Sequence, residues 1–129
     1  MSDIQVIGKA KFIEDGYEVM KKFIRKQNAE SFPTAVFAVN DVVAIGSVET
    51  LNEHGIRVPE DVSVIGYDDI SIASLVMVSL TTILQTKFKM GEIAAARLIE
   101  NIERRGKRIT RQFLVRPELI IRKSCTMLS

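Results

Sequence analysis

Residues 34–69 constrain this chain more than any other stretch. An apolar run, Ala35 to Val39, ends in Asn40-Asp41. A helical stretch follows and stops at Gly55. A second apolar run, Val62 to Tyr67, then ends in Asp68-Asp69. Two strand-type runs joined by one helix make a β-α-β unit. Strand and helix alternate along the rest of the chain, which makes the fold class α/β with a parallel sheet. Ligands of open parallel sheets sit at the carboxyl ends of the strands. The acid and amide groups of this unit are placed there, so the chain points to a small-molecule pocket.

At 129 residues the length suits one domain, and 47% hydrophobic with 26% charged residues is an ordinary globular composition. The 18 basic and 16 acidic residues leave a net charge of +2, too balanced to argue for nucleic acid or a membrane surface. Cys125 is the single cysteine, so no internal disulfide is available and a reducing compartment is the simpler reading. No secretory signal and no apolar stretch of about 20 residues is present. The expectation is a soluble, cytoplasmic protein.

Local patterns place the other elements. Ile4 to Gly8 reads as a short strand. Asp15 to Ala29 reads as a helix capped by Asp15, with Tyr17, Met20, Phe23 and Ile24 on one face. Asp41 is expected to cap the next helix, and the uncharged Ala35–Val39 run suits a strand buried on both faces. Ile70 to Val78 is irregular and apolar. Leu80 to Leu84 reads as a strand. Phe88 to Arg105 reads as the longest helix, with Met90, Ile93, Ala94, Leu98, Ile99 and Ile102 along one side. Phe113 to Ile121 reads as a bent strand or strand pair around Pro117.

Few residues carry chemistry. Asn40 offers donors and an acceptor at the mouth of the sheet, beyond what a simple cap requires. The Asp68-Asp69 pair has no His, Lys or third carboxylate within motif distance, which fits neither acid–base catalysis nor a metal. A carboxylate facing a pocket can instead accept hydrogen bonds from sugar hydroxyls. Gly66, inside its strand, lets another backbone or a ligand come close. His54, the sole histidine, suits a helix C-terminus, and Arg104-Arg105-Gly106-Lys107-Arg108 suits a solvated loop. There is no phosphate loop, nucleophile elbow or metal motif, so no cofactor and no enzyme activity is expected.

Three longer patterns resemble the LacI/GalR bacterial transcriptional regulators. The first runs Pro33 to Asp41, with Ala44-Ile45-Gly46 following. The second runs Gly55 to Asp69. The third comprises Leu80-Thr81-Thr82-Ile83 with Gln85 and Gly91, and then Arg116 to Ser124. The match covers roughly residues 14–125.

The resemblance implies a parallel-sheet three-layer sandwich, the C-terminal subdomain of a periplasmic-binding-protein-like effector domain. It implies that residues 1–129 form a fragment of that domain. The 87–108 helix would return to an N-terminal subdomain lying, with the helix-turn-helix DNA reader, outside this sequence. It places Asn40 and Asp68 at effector-binding positions, with a sugar or similar metabolite as effector. Lys11 falls where relatives often carry a stacking aromatic. It assigns Ile45 and Leu75, Val76, Met77 and Val78 to a homodimer contact, and operator DNA to the missing reader. The alternative is a solute-binding protein of a sugar importer, which shares the fold.

Overall fold

The computed structural model describes residues 7–27, 32–75, 77–103 and 111–127. Its elements follow one another as α1 (Ile13–Lys26), β1 (Ala35–Phe37), α2 (Asp41–Glu53), β2 (Ser63–Tyr67), a 3₁₀ turn (Ser71–Ser74), β3 (Thr81–Leu84), α3 (Lys87–Glu103) and β4 (Glu118–Ile120). The sheet order is β1-β2-β3-β4, and β1, β2 and β3 pair in parallel. The α/β class and the parallel pairing follow the sequence pattern. The Ile4–Gly8 strand reading lies largely outside the described residues, and so does the basic run at 104–108.

The chain divides into two compact units, residues 1–84 with 119–129, and residues 85–118. In the first, apolar residues spaced along α1 and α2 meet one face of the sheet. Met20 and Phe23 of α1 join Val43, Ala44, Val48 and Leu51 of α2 over Val36, Ala38, Val64 and Leu80. Burying each large side chain of this set is worth about 1.5–3 kcal/mol. The strand β1 is covered on one face only: Val36 is buried while Phe37 and Val39 are 62% and 61% exposed. That corrects the expectation of a strand buried on both sides, because β1 stands at the sheet edge and among the described residues of this unit the apolar cover lies on the α2 face.

Both helices begin differently from the sequence reading. α1 starts at Ile13, two residues before Asp15, and Phe12, which carries no acceptor, occupies the cap. Asp15 supplies it instead from inside the first turn, accepting from Lys11 N at 2.9 Å and Phe12 N at 3.1 Å. These two bonds hold its carboxyl below the ordinary value. α2 is capped by Asn40 rather than Asp41, with Asn40 Oδ1 accepting from Val43 N at 2.9 Å. α2 ends as expected, at Gly55 with φ +74°, while Ile56 N donates to Leu51 O. His54 sits at this C-cap, its Nδ1 2.8 Å from Thr50 O. In the turn before β2 the Arg57 guanidinium, bonded to Asp61, holds that carboxyl down at about 2.

The second unit is α3 and the segment to Glu118. No residue of α3 is buried: Phe88, Leu98, Ile99 and Ile102 are all exposed. The Arg97 guanidinium lies 4.6 Å from the Phe113 ring centre and pairs with Glu100. Residues 111–117 are not a strand, so the strand at the end of the sequence is shorter than the Phe113–Ile121 reading.

Candidate functional site

The ladder between β1 and β2 aligns Ala35 with Ser63 and Phe37 with Ile65, a constant offset of 28 positions. Asn40 lies three residues past the end of β1, and Asp68 directly follows the end of β2. Both follow the carboxyl ends of adjacent parallel strands. Asn40 is half-buried and committed on two sides. Its Oδ1 caps α2 and its Nδ2 donates to Lys11 O at 3.3 Å. One amide hydrogen and one oxygen lone pair remain for another molecule.

Asp41, adjacent to Asn40 in sequence, has a different task. It is fully buried, and its Oδ1 accepts from Thr82 Oγ1 at 2.5 Å while its Oδ2 accepts from Ile70 N at 2.8 Å. The carboxylate thus links the end of β1 to β3 and to the segment leaving β2. Gly66 makes the space. A Cβ added there would stand 2.2 Å from Asp41 Oδ1 and 2.9 Å from a Leu80 methyl. The group that comes close at Gly66 is a side-chain carboxylate of the same chain, rather than the backbone or ligand expected there.

The carboxylate pair also divides. Asp69 meets Arg122 at 2.6 Å, with both side chains only 20% exposed, and Arg122 Nη1 donates to Leu80 O at 2.9 Å. Asp68 takes φ 111° and Asp69 φ 48°. A non-glycine residue in such backbone costs about 1–3 kcal/mol and persists only where its surroundings impose it. Asp68 N donates to Ile83 O at 2.9 Å and Ile70 N to Asp41. The turn is therefore held before, within and after the strained residue. Sequence reading did not single out Thr82 or Arg122 as parts of this edge. The available signal was Arg122 itself, a charge directly after the apolar Leu119–Ile121 run that needs a carboxylate partner.

The residues assigned to a dimer contact spread over α2 and the segment after β2. Leu75 and Met77 are 81% and 86% exposed, Ile45 is half-buried, and Val78 packs on the core. Val76 lies outside the described residues. Asn52 Nδ2 stands 4.0 Å from Met77 Sδ. Ile45 lies seven residues before Asn52, on the same helix face, so α2 presents Ile45 on the side where Met77 lies.

At the opposite, amino edge of the sheet, Ile24, Phe32, Pro33, Ile56 and Val62, with the polar Gln27 and Asp61, line an open groove of about 460 Å³. Neither Asn40-Asp41 nor Asp68-Asp69 lines it, and its carboxylate, Asp61, is bonded to Arg57. Among the described residues no cluster of His, Cys, Asp and Glu could hold a metal ion, and no helix is long and apolar enough to cross a membrane.

The periplasmic binding protein-like domain family matches residues 2–125. The transcriptional repressor PurR of Haemophilus influenzae (strain PittEE) is 44% identical over 113 residues, covering 86% of this chain and 33% of that protein. The PurR repressor of Pasteurella multocida (strain Pm70) is 43% identical over 111 residues, with 86% and 32% covered. Among solved structures, a LacI family regulator from Enterococcus faecium with bound ribose superposes with TM-score 0.80 at 31% identity, over 95% of this chain and 44% of that one. One from Lactobacillus casei with bound sucrose gives 0.76 at 30%, over 89% and 41%. The chain spans about a third of the length of the curated relatives it matches. It belongs to the periplasmic-binding-protein-like domain family and, within it, to the effector-binding domains of LacI/GalR regulators.

Proposed function

We propose that this chain is the effector-sensing and dimerising part of a LacI/GalR-type transcriptional regulator. Its effector is a sugar or similar small polar metabolite, taken at the carboxyl edge of the sheet where Asn40 and Asp68 follow adjacent strands. Their place beyond the carboxyl ends of two adjacent parallel strands is the observation that carries the reading. One residue can donate, the other accepts through a carboxylate, and adjacent hydroxyls of a sugar match such a pair. The solved relatives hold ribose and sucrose. Operator DNA is reached through a helix-turn-helix reader that these residues do not include, and α3 returns to the other subdomain of the effector domain. Effector binding shifts the balance of two subdomain arrangements, by no more than its difference in affinity for the two.

The test is a calorimetric titration of the intact regulator with a panel of sugars and nucleobases. For the compound that binds, Asn40→Ala and Asp68→Ala should each weaken affinity at least tenfold, with cooperative thermal unfolding retained in both. Undiminished affinity in both variants would place the site elsewhere.

Dimerisation uses the α2 face bearing Ile45, together with Leu75 to Val78. Exposed apolar side chains of this size gain about 1.5–3 kcal/mol each when covered, and a symmetric contact would cover both copies at once. Sedimentation at tens of micromolar should show a dimer. Ile45→Asp should convert it to monomer with the fold intact, and a variant that stays dimeric would remove this surface from the assembly.

A further inference from the structure

Arg122 reaches across the unit in a way that its place in the chain does not require. Its backbone N donates to Thr81 Oγ1 at 2.9 Å, which already fixes the segment to the start of β3. The next residues add their own attachments: Lys123 N to Ser79 O, Thr81 N to Ser124 Oγ at 2.8 Å, and Ser124 Oγ to Val64 O at 2.5 Å. The C-terminal segment is secured without the Arg122 side chain. The guanidinium nevertheless spans from Leu80 O to Asp69 Oδ1. Asp69 directly follows Asp68, the residue with the most unusual backbone among those described, φ 111°.

We infer that Arg122 is a positioning residue for the effector site: through Asp69 it holds the left-handed turn that sets Asp68. This rests on the reading of Asp68 as an effector contact. The physical reason is the shape of the arginine fork. One planar donor, Nη1, is fixed on Leu80 O, so the other, Nη2, is held at a set place and ties Asp69 Oδ1 to it, and a carboxylate tied that way restrains the backbone from which it springs. A strained residue needs such an over-determined surrounding. Asp41, on Ile70 N, performs the same service one residue further on. The ligand then meets an acceptor already in place, with less ordering left to do on binding.

The readout is the amide-to-Hα three-bond coupling of Asp68 in the isotopically labelled chain, which is small near φ 111° and large in ordinary extended backbone. Arg122→Met and Asp69→Asn should both move it to the large value, and Arg122→Lys should move it less. Ser124→Ala loosens the same C-terminal segment from the other side. It should lower the melting temperature and leave the coupling unchanged. If Arg122→Met does not fold, Asp69→Asn carries the test alone. A folded Arg122→Met or Asp69→Asn whose Asp68 coupling equals wild type would overturn the inference, as would an equal shift in Ser124→Ala. Titration with ribose and sucrose separates the two layers of the argument. Unchanged affinity in Asp68→Ala would overturn the effector reading while leaving the coupling to decide the role of Arg122. At least tenfold weakening in Asp68→Ala with full affinity in Arg122→Met would overturn positioning alone.

Discussion

Asp41→Ala should lower stability by about 3–4 kcal/mol, the sum of two buried donors left unpaired and a small cavity. The donors are Ile70 N and Thr82 Oγ1. No water is expected to reach them easily, since Asp41 and Thr82 are both fully buried. For a domain near this size the loss amounts to a fall of about 10 °C or more in melting temperature. Asp41→Asn discriminates between charge and hydrogen bonding. Its carboxamide oxygen can still accept from Ile70 N, and its NH₂ can donate to the Thr82 hydroxyl, which turns to accept. The cost should then be only about 1 kcal/mol, within the ordinary range for a surviving but imperfect bond. Urea unfolding of the two variants checks the order. Equal losses in both would show that the negative charge, and not the pair of bonds, is what the site requires.

The contrast between Asn40 and Asp41 shows what the sequence can and cannot reveal. Residue types and their place after an apolar run are visible in one dimension, and they put both groups at the carboxyl edge. Which of the two caps α2 depends on where the helix begins to turn. Asn40 takes extended backbone, φ −155° and ψ 172°, so its short side chain meets Val43 N, and Asp41 turns inward. A helix boundary shifted by one residue exchanges the roles, and sequence patterns do not fix boundaries that finely. The same holds at α1, where Asp15 serves the cap from inside the first turn.

The β-α-β order was legible because alternation of apolar runs and helical faces needs no tertiary information. The one-sided cover of β1 was not. A run such as Ala35–Val39 reads the same whether one face or two is buried, and only the neighbours decide. Asp69 and Arg122 are 53 positions apart, and nothing in the spacing announces the pair. The resemblance to LacI/GalR regulators supplied what local patterns lacked, since Asn40 and Asp68 were assigned together through it.

Gly46→Ala should be about as damaging as the loss of the Asp41 carboxylate, by an opposite route. The helices α1 and α2 run the same way, as Ile13 meets Gly46 and Tyr17 meets Thr50. They touch backbone to backbone. A Cβ on Gly46 would stand 2.0 Å from Ile13 O and 2.9 Å from Tyr17 N, and one on Gly16 would stand 2.3 Å from Val43 O. Backbone atoms cannot rotate aside as side chains do, so the helices must separate by more than an ångström. Separation stretches the bond from Thr50 Oγ1 to Tyr17 O, now 3.0 Å, and that from Ser47 Oγ to Gly16 O, now 3.5 Å. It also opens the packing of Met20 and Phe23 on Val43 and Ala44. Overpacking of a close contact costs about 1–3 kcal/mol and more where backbone is involved, so about 3 kcal/mol is expected for Gly46→Ala. Gly16→Ala should behave alike. The double variant should cost clearly less than the two single losses combined, because helices already pushed apart admit the second methyl. Since α2 opens with Asn40, the displacement also moves one half of the proposed effector pair, and affinity should fall with stability. Additive losses in chemical unfolding would mean that the two glycines answer to separate contacts and that the helix crossing yields locally.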